Sequence, residues 1–109
     1  MNIDRHFYRR DGTPYPDGDA GFFEWAKDFE NFDKRIVRQE ELPNGYWVST
    51  VWMGIDHRFL EGPPLIFETM VEDPEGHWTD YQERYSSEED AIIGHLQAVD
   101  LYKQKEVSP

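Results

Sequence analysis

The stretch Tyr46-Trp47-Val48-Ser49-Thr50-Val51-Trp52-Met53 packs aromatic and β-branched side chains into eight uncharged residues. Branched Cβ atoms and rings lose rotamer freedom against the preceding turn of a helix and pack well on a pleated surface, so this run dictates a strand. Both of its alternating sets carry large apolar groups, which predicts a central strand with one face on helices and the other partly sheltered. Such a strand needs neighbours on both sides, and the flanking sequence supplies them. Pro43-Asn44-Gly45 brings an Asn-Gly pair that tolerates the positive φ of a tight hairpin and places Ile36 to Leu42 alongside. Downstream, Leu65 to Val71 is a second strong strand, Asp73-Pro74-Glu75-Gly76 is a turn, and Trp78 to Tyr85 alternates as a strand returning beside it. The expectation is an antiparallel sheet of about four strands.

Two helical stripes are available to cover that sheet. Phe22, Trp25, Ala26 and Phe29 recur at helical spacing after Asp19, which can cap the helix. Ser86-Ser87-Glu88-Glu89 matches a capping box, with Ser86 as the cap. Ala91, Ile92, His95, Leu96, Val99 and Tyr102 then follow along one helical face, and the acids of the first turn complement the helix dipole. The fold class expected is α+β, with two amphipathic helices packed on one face of the sheet. The length of 109 residues suits a single domain. Residues 1–18, with Gly and Pro punctuation, read as an extended arm with turns, and residues 104–109 as a frayed tail. Four Trp, six Tyr and seven Phe imply an aromatic-rich core.

Charge narrows the partners. Twenty-three acidic residues face 11 basic ones, a formal charge of −12, where a small soluble domain carries about 2 to 8 units. DNA, RNA and anionic membranes are repelled at long range, whereas a cation-lined protein groove attracts such a chain. The plainer reading of the excess is solubility. The absence of cysteine excludes disulfides, thiolate chemistry and cysteine-held metals. No apolar run is long enough to span a bilayer, and charges occupy the first ten residues where a signal peptide needs an apolar stretch, so a cytoplasmic location is expected.

Chemistry-bearing patterns are sparse. Asp56-His57 at a strand end could serve a small hydrolase or a metal-dependent enzyme as base or ligand, but no nucleophile elbow and no second His at ligand spacing supports it. His95 reads as a half-buried histidine with a hydrogen-bonded nitrogen. Glu68 and Glu83 could face each other across strands as a glycosidase pair, although chance pairs are expected among so many acids. Gly54 and Gly62-Pro63-Pro64 fit neither phosphate-binding fingerprint and are assigned a conformational role. No cofactor and no metal is expected. The remaining candidates are Glu40, Glu41, Glu68, Glu72, Asp73, Glu75, Asp80, Glu83, Glu88, Glu89 and Asp90, which could imitate a phosphate backbone if the fold presents them together.

The run Tyr46 to His57, the string Gly62-Pro63-Pro64-Leu65-Ile66-Phe67-Glu68-Thr69-Met70-Val71, and Arg84-Tyr85-Ser86 with Glu88, Glu89, Ala91, Gly94 and His95 together resemble a widespread family of small bacteriophage and prophage proteins of unassigned function. The likeness runs from about Phe23 to about Val99, over most of the chain. It departs from the family pattern at Phe59-Leu60-Glu61, where the pattern is richer in glycine, and at Glu72, where the pattern has an aromatic. The resemblance implies a viral origin and supplies no catalytic residues. Charge and resemblance lead to one expected function, a phage-encoded non-enzymatic inhibitor of a host protein. Its target would be a basic nucleic-acid-binding effector of a defence system, bound as an anti-CRISPR protein binds its own. A homodimeric interaction module with exposed Trp or Tyr is a further reading.

Overall fold

The computed structural model describes residues 7–56 and 62–106. Along the chain these form α1 (Asp19–Glu30), α2 (Phe32–Arg35), β1 (Ile36–Glu41), β2 (Trp47–Trp52), β3 (Phe67–Glu72), β4 (Trp78–Tyr85) and α3 (Glu88–Lys103). The strands make one sheet in the order β1-β2-β3-β4, each antiparallel to the next. The α+β class and the four-stranded antiparallel sheet are as the sequence predicts, and β2 is a central strand.

Two hairpin turns of the same design close one end of the sheet. In the first, Leu42 N–H donates to Tyr46 O at 2.7 Å and Gly45 N–H to Leu42 O at 2.8 Å. In the second, Asp73 N–H donates to His77 O at 2.7 Å and Gly76 N–H to Asp73 O at 3.0 Å. Each loop is Pro-x-Gly, with the glycine at a φ of 94° or 88°. Asn44 does not share that conformation, so the hairpin is the three-residue kind with a glycine bulge and not a two-residue Asn-Gly turn.

Alternation assigns the faces. Val48, Thr50 and Trp52 of β2 and Val71, Thr69 and Phe67 of β3 stand opposite one another and are buried. α3 lies over this face and touches all four strands. The core has two apolar halves, Tyr15, Trp52, Ile66, Phe67 and Ala91 at one end and Leu42, Val48, Val71, Ala98 and Tyr102 at the other. Between them Thr50, Thr69 and His95 form a fully buried polar layer.

Several details differ from the sequence expectation. The cap of α3 is Ser87, whose hydroxyl accepts from Asp90 N–H, one residue later than predicted. The face of α3 turned to the sheet is Ala91, Gly94, His95, Ala98 and Tyr102, while Ile92, Ile93, Leu96 and Leu101 are exposed. The reason is steric: a Cβ at Gly94 would overlap Cζ and Oη of Tyr85, so the helix approaches the sheet through its smallest residues. α1 does not lie along the sheet as α3 does. Its element-level neighbour is α2, and it reaches the sheet's other end through Trp25, whose Nε1–H donates to Met53 O at 2.8 Å, and Phe29, whose ring lies 6.3 Å from that of Trp52. The arm contributes to the core through Tyr15, and Asn44 ties the end of α3 by donating to Tyr102 O at 2.7 Å and Lys105 O at 3.1 Å.

Candidate functional site

The buried polar layer is an ordered chain of hydrogen bonds. His95 Nε2 lies 2.8 Å from Glu40 Oε1 on β1, and its Nδ1 lies 2.7 Å from Thr50 Oγ1 on β2. Thr50 Oγ1 is in turn 2.5 Å from Thr69 Oγ1 on β3. An ionised Glu40 can only accept, so Nε2 carries the proton and Nδ1 accepts from the Thr50 hydroxyl, which leaves Thr69 to donate to Thr50. Burial pushes the His95 pKa down, and the Glu40 carboxylate opposes that shift. Carboxylate, imidazole and hydroxyl follow one another as in a hydrolase triad. Thr50 and His95 have no exposed surface, however, so the hydroxyl has no route to a substrate carbonyl. The layer is a structural network, and His95 is more deeply buried than the sequence suggests, with both nitrogens engaged.

The opposite face of the sheet is not covered by α3; Phe32 of the short α2 stands at its edge. Here Glu41 stands opposite Trp47, Trp47 opposite Glu72, and Glu72 opposite Trp78, so carboxylate and indole alternate in one row across four strands. Trp78 is 54% exposed. On the turn side of the row an open hollow of about 480 Å³ is lined by Glu41, Trp47, Glu72, Asp73 and Glu75. On the other side one of about 420 Å³ is lined by Phe32, Trp47, Met70, Glu72 and Trp78, among others. Asp73 belongs partly to its own turn, where its carboxylate accepts from Glu75 N–H at 2.9 Å and His77 N–H at 3.0 Å. The bond from His77 is the main reason its pKa is lowered.

The fold therefore brings together Glu41, Glu72, Asp73 and Glu75 and separates the other acidic candidates from them. Glu40 faces α3 and serves His95. Glu68 is on the open face but only 8% exposed, its Oε2 accepting from Arg84 Nε and Gln82 Nε2, each at 3.0 Å. Register places Glu68 opposite Arg84, and Glu83 opposite Thr69 on the other face, which excludes the carboxylate pair the sequence allowed. Asp80 is exposed in the bulged stretch between Trp78 and Gln82. Glu88 pairs with Arg10, and Glu89 and Asp90 share its end of α3. That helix has 16 residues, so this group lies about 24 Å from the turn end, beyond a Debye length of ~10 Å.

Asp56 Oδ1 accepts from Leu65 N–H at 3.0 Å and so braces the start of β3, while His57 and Phe59-Leu60-Glu61 lie outside the described residues. Gly54, at φ 76°, leaves room for Trp25 Nε1 and Trp52 Cζ2, which would stand 2.5 and 2.7 Å from a Cβ there. Among the described residues, no three His, Cys, Asp or Glu are grouped to hold a metal ion, and no helix is long and apolar enough to cross a membrane. The sequence reading missed the aromatic members of the open face, Phe32, Trp47 and Trp78. β2 carries one Trp in each alternating set, and only the register distinguishes the outward one. Compared with family models, curated proteins and solved structures, the chain matches none.

Proposed function

We propose that this protein is a non-enzymatic acidic binder that presents the face of its sheet away from α3 to a basic protein surface. In that role it acts as a phage-encoded inhibitor, covering the cation-lined groove of a nucleic-acid-handling host effector in the way of an anti-CRISPR protein. The observation that carries the reading is the row Glu41-Trp47-Glu72-Trp78, with Glu41 and Trp78 exposed and Trp47 and Glu72 half-buried, on the face away from α3 of a chain with charge −12. Aromatic side chains supply area and anchoring, and the carboxylates supply long-range attraction and orientation. The test is a pull-down from host lysate in low and moderate salt, with wild type beside a Glu41→Gln, Glu72→Gln, Glu75→Gln variant that leaves the turn-capping Asp73 intact. A basic, nucleic-acid-handling partner that is retained at low salt and lost by the variant is the expected result. No such partner, or retention indifferent to both salt and substitution, sinks the reading.

A second reading is self-association through the outer face of α3, favoured by Ile92, Ile93, Leu96 and Leu101, which are 39–51% exposed. It must bring two copies of charge −12 together, which the first reading avoids. Sedimentation at moderate salt decides between a monomer and a dimer lost on Leu96→Gln.

A further inference from the structure

We infer that Trp47, Glu72 and Trp78 form a seat for one arginine side chain of the partner, its guanidinium stacked between the two indoles and facing the Glu72 carboxylate. This rests on the proposed basic-partner reading and makes it specific. The register sets Trp47 and Trp78 on either side of Glu72 on three adjacent strands, all on the open face. Directly opposed residues have Cβ atoms about 4.5–5.5 Å apart, so the two tryptophans start about 10 Å apart. A planar cation in contact with both rings needs about 3.5–4 Å to each, which that gap accommodates.

The row two steps along the same face is an internal comparison. There Glu68 receives Arg84 Nε at 3.0 Å, so this sheet already answers a carboxylate with a guanidinium where the chain itself provides one. Among the described residues, Glu72 has no basic partner, and the cations that stack on rings are Arg9 on Tyr15, Arg35 on Phe29 and Phe32, and Lys105 on Tyr102, none on Trp47 or Trp78. Guanidinium suits the seat better than ammonium because it is planar, weakly hydrated, stacks on indole and meets a carboxylate through two parallel N–H groups.

The four indole N–H resonances give the test its own controls. Trp25 Nε1–H is bonded to Met53 O at 2.8 Å and Trp52 Nε1–H to Tyr8 O at 3.0 Å, so both are internal. Titration of the ¹⁵N-labelled protein with acetyl-arginine methylamide is expected to shift the Trp47 and Trp78 indole signals saturably and leave Trp25 and Trp52 in place. The isosteric, uncharged acetyl-citrulline methylamide is expected to produce no saturable shift. Trp47→Leu and Trp78→Leu should each weaken the arginine response about two- to five-fold, as expected for an exposed cation–π contact. Glu72→Gln should weaken it more than Glu75→Gln does. Equal responses to arginine and citrulline, or equal effects of Glu72→Gln and Glu75→Gln, overturn the seat. A short polylysine peptide separates the two levels. Binding that weakens equally on Glu41→Gln, Glu72→Gln and Glu75→Gln, with the Trp47 and Trp78 signals unmoved, leaves the acidic face standing and removes the seat. No binding of any basic probe removes both.

Discussion

At the scale of single residues, the hydroxyls of Thr50 and Thr69 and the imidazole of His95 occupy the core with no access to water. A buried polar group deprived of its partner loses about 1–3 kcal/mol. Thr50→Val keeps the shape and removes the hydroxyl that both His95 Nδ1 and Thr69 use. It is expected to lower unfolding stability by about 1–3 kcal/mol in urea titrations; an unchanged midpoint would mean that the layer is not organised around Thr50. The pH dependence follows from the same group. Burial holds His95 below its ordinary value, so as pH falls the unfolded chain takes up this proton first. Its stabilisation is complete above about pH 6.5, the value of the unfolded side chain, and is lost as pH drops from there toward the folded value. Asp28 is held low chiefly by Lys34 and Asp73 by His77 N–H, and these contribute only to a later loss, below about pH 4. Unfolding stability is therefore expected to decline from pH 7 to pH 5 in wild type. In His95→Gln it should be lower at pH 7 but nearly flat over that window, and a wild-type profile that is itself flat there contradicts the assignment.

At the scale of elements, α3 is the instructive case. Alanine normally stabilises a helix interior by roughly 1 kcal/mol over glycine. Gly94→Ala is nevertheless expected to destabilise by about 1–3 kcal/mol, since the new methyl overlaps the Tyr85 ring and forces a shift of helix or strand. Denaturation of Gly94→Ala with and without Tyr85→Leu checks this, the double variant recovering part of the loss. The same contact explains what could be read in advance. β4 is legible to the residue because its alternation is bounded by a Pro-Gly turn and a serine cap. The inward face of α3 is legible only in part: Ala91, His95 and Tyr102 are on it as expected, but counting apolar side chains adds Ile92 and Leu96, whereas close approach to the sheet selects Gly94 and Ala98. His95 stands out in the sequence as a polar residue on an apolar stripe. Its partners do not, since Thr50 and Glu40 are 45 and 55 residues away and meet it only through strand pairing. The acids of the open face are legible as a surplus of charge. Which of them converge depends on register, and register also sends Glu83 and Glu40 to the other side.

For the whole molecule, the decisive quantity is the field of a chain with charge −12. A surplus of this size can accelerate encounter with a cationic surface by about 10- to 1,000-fold, and salt screens the effect. The association rate with the proposed partner is therefore expected to fall steeply between low and high ionic strength while the dissociation rate changes little, as stopped-flow mixing would measure. An association rate insensitive to salt would show that the surplus does not steer encounter. The polar layer has a further consequence at this scale. A helix resting on hydrocarbon alone could slide by a full turn, about 5.4 Å, and lose little contact. In this molecule that displacement would press the imidazole against Val48 and Val71 or against Trp52 and Phe67 and strand the two threonine hydroxyls. The layer thus acts as a locating pin that admits one seating of α3 on the sheet, and it leaves the apolar halves on either side freer to vary without the helix losing its place.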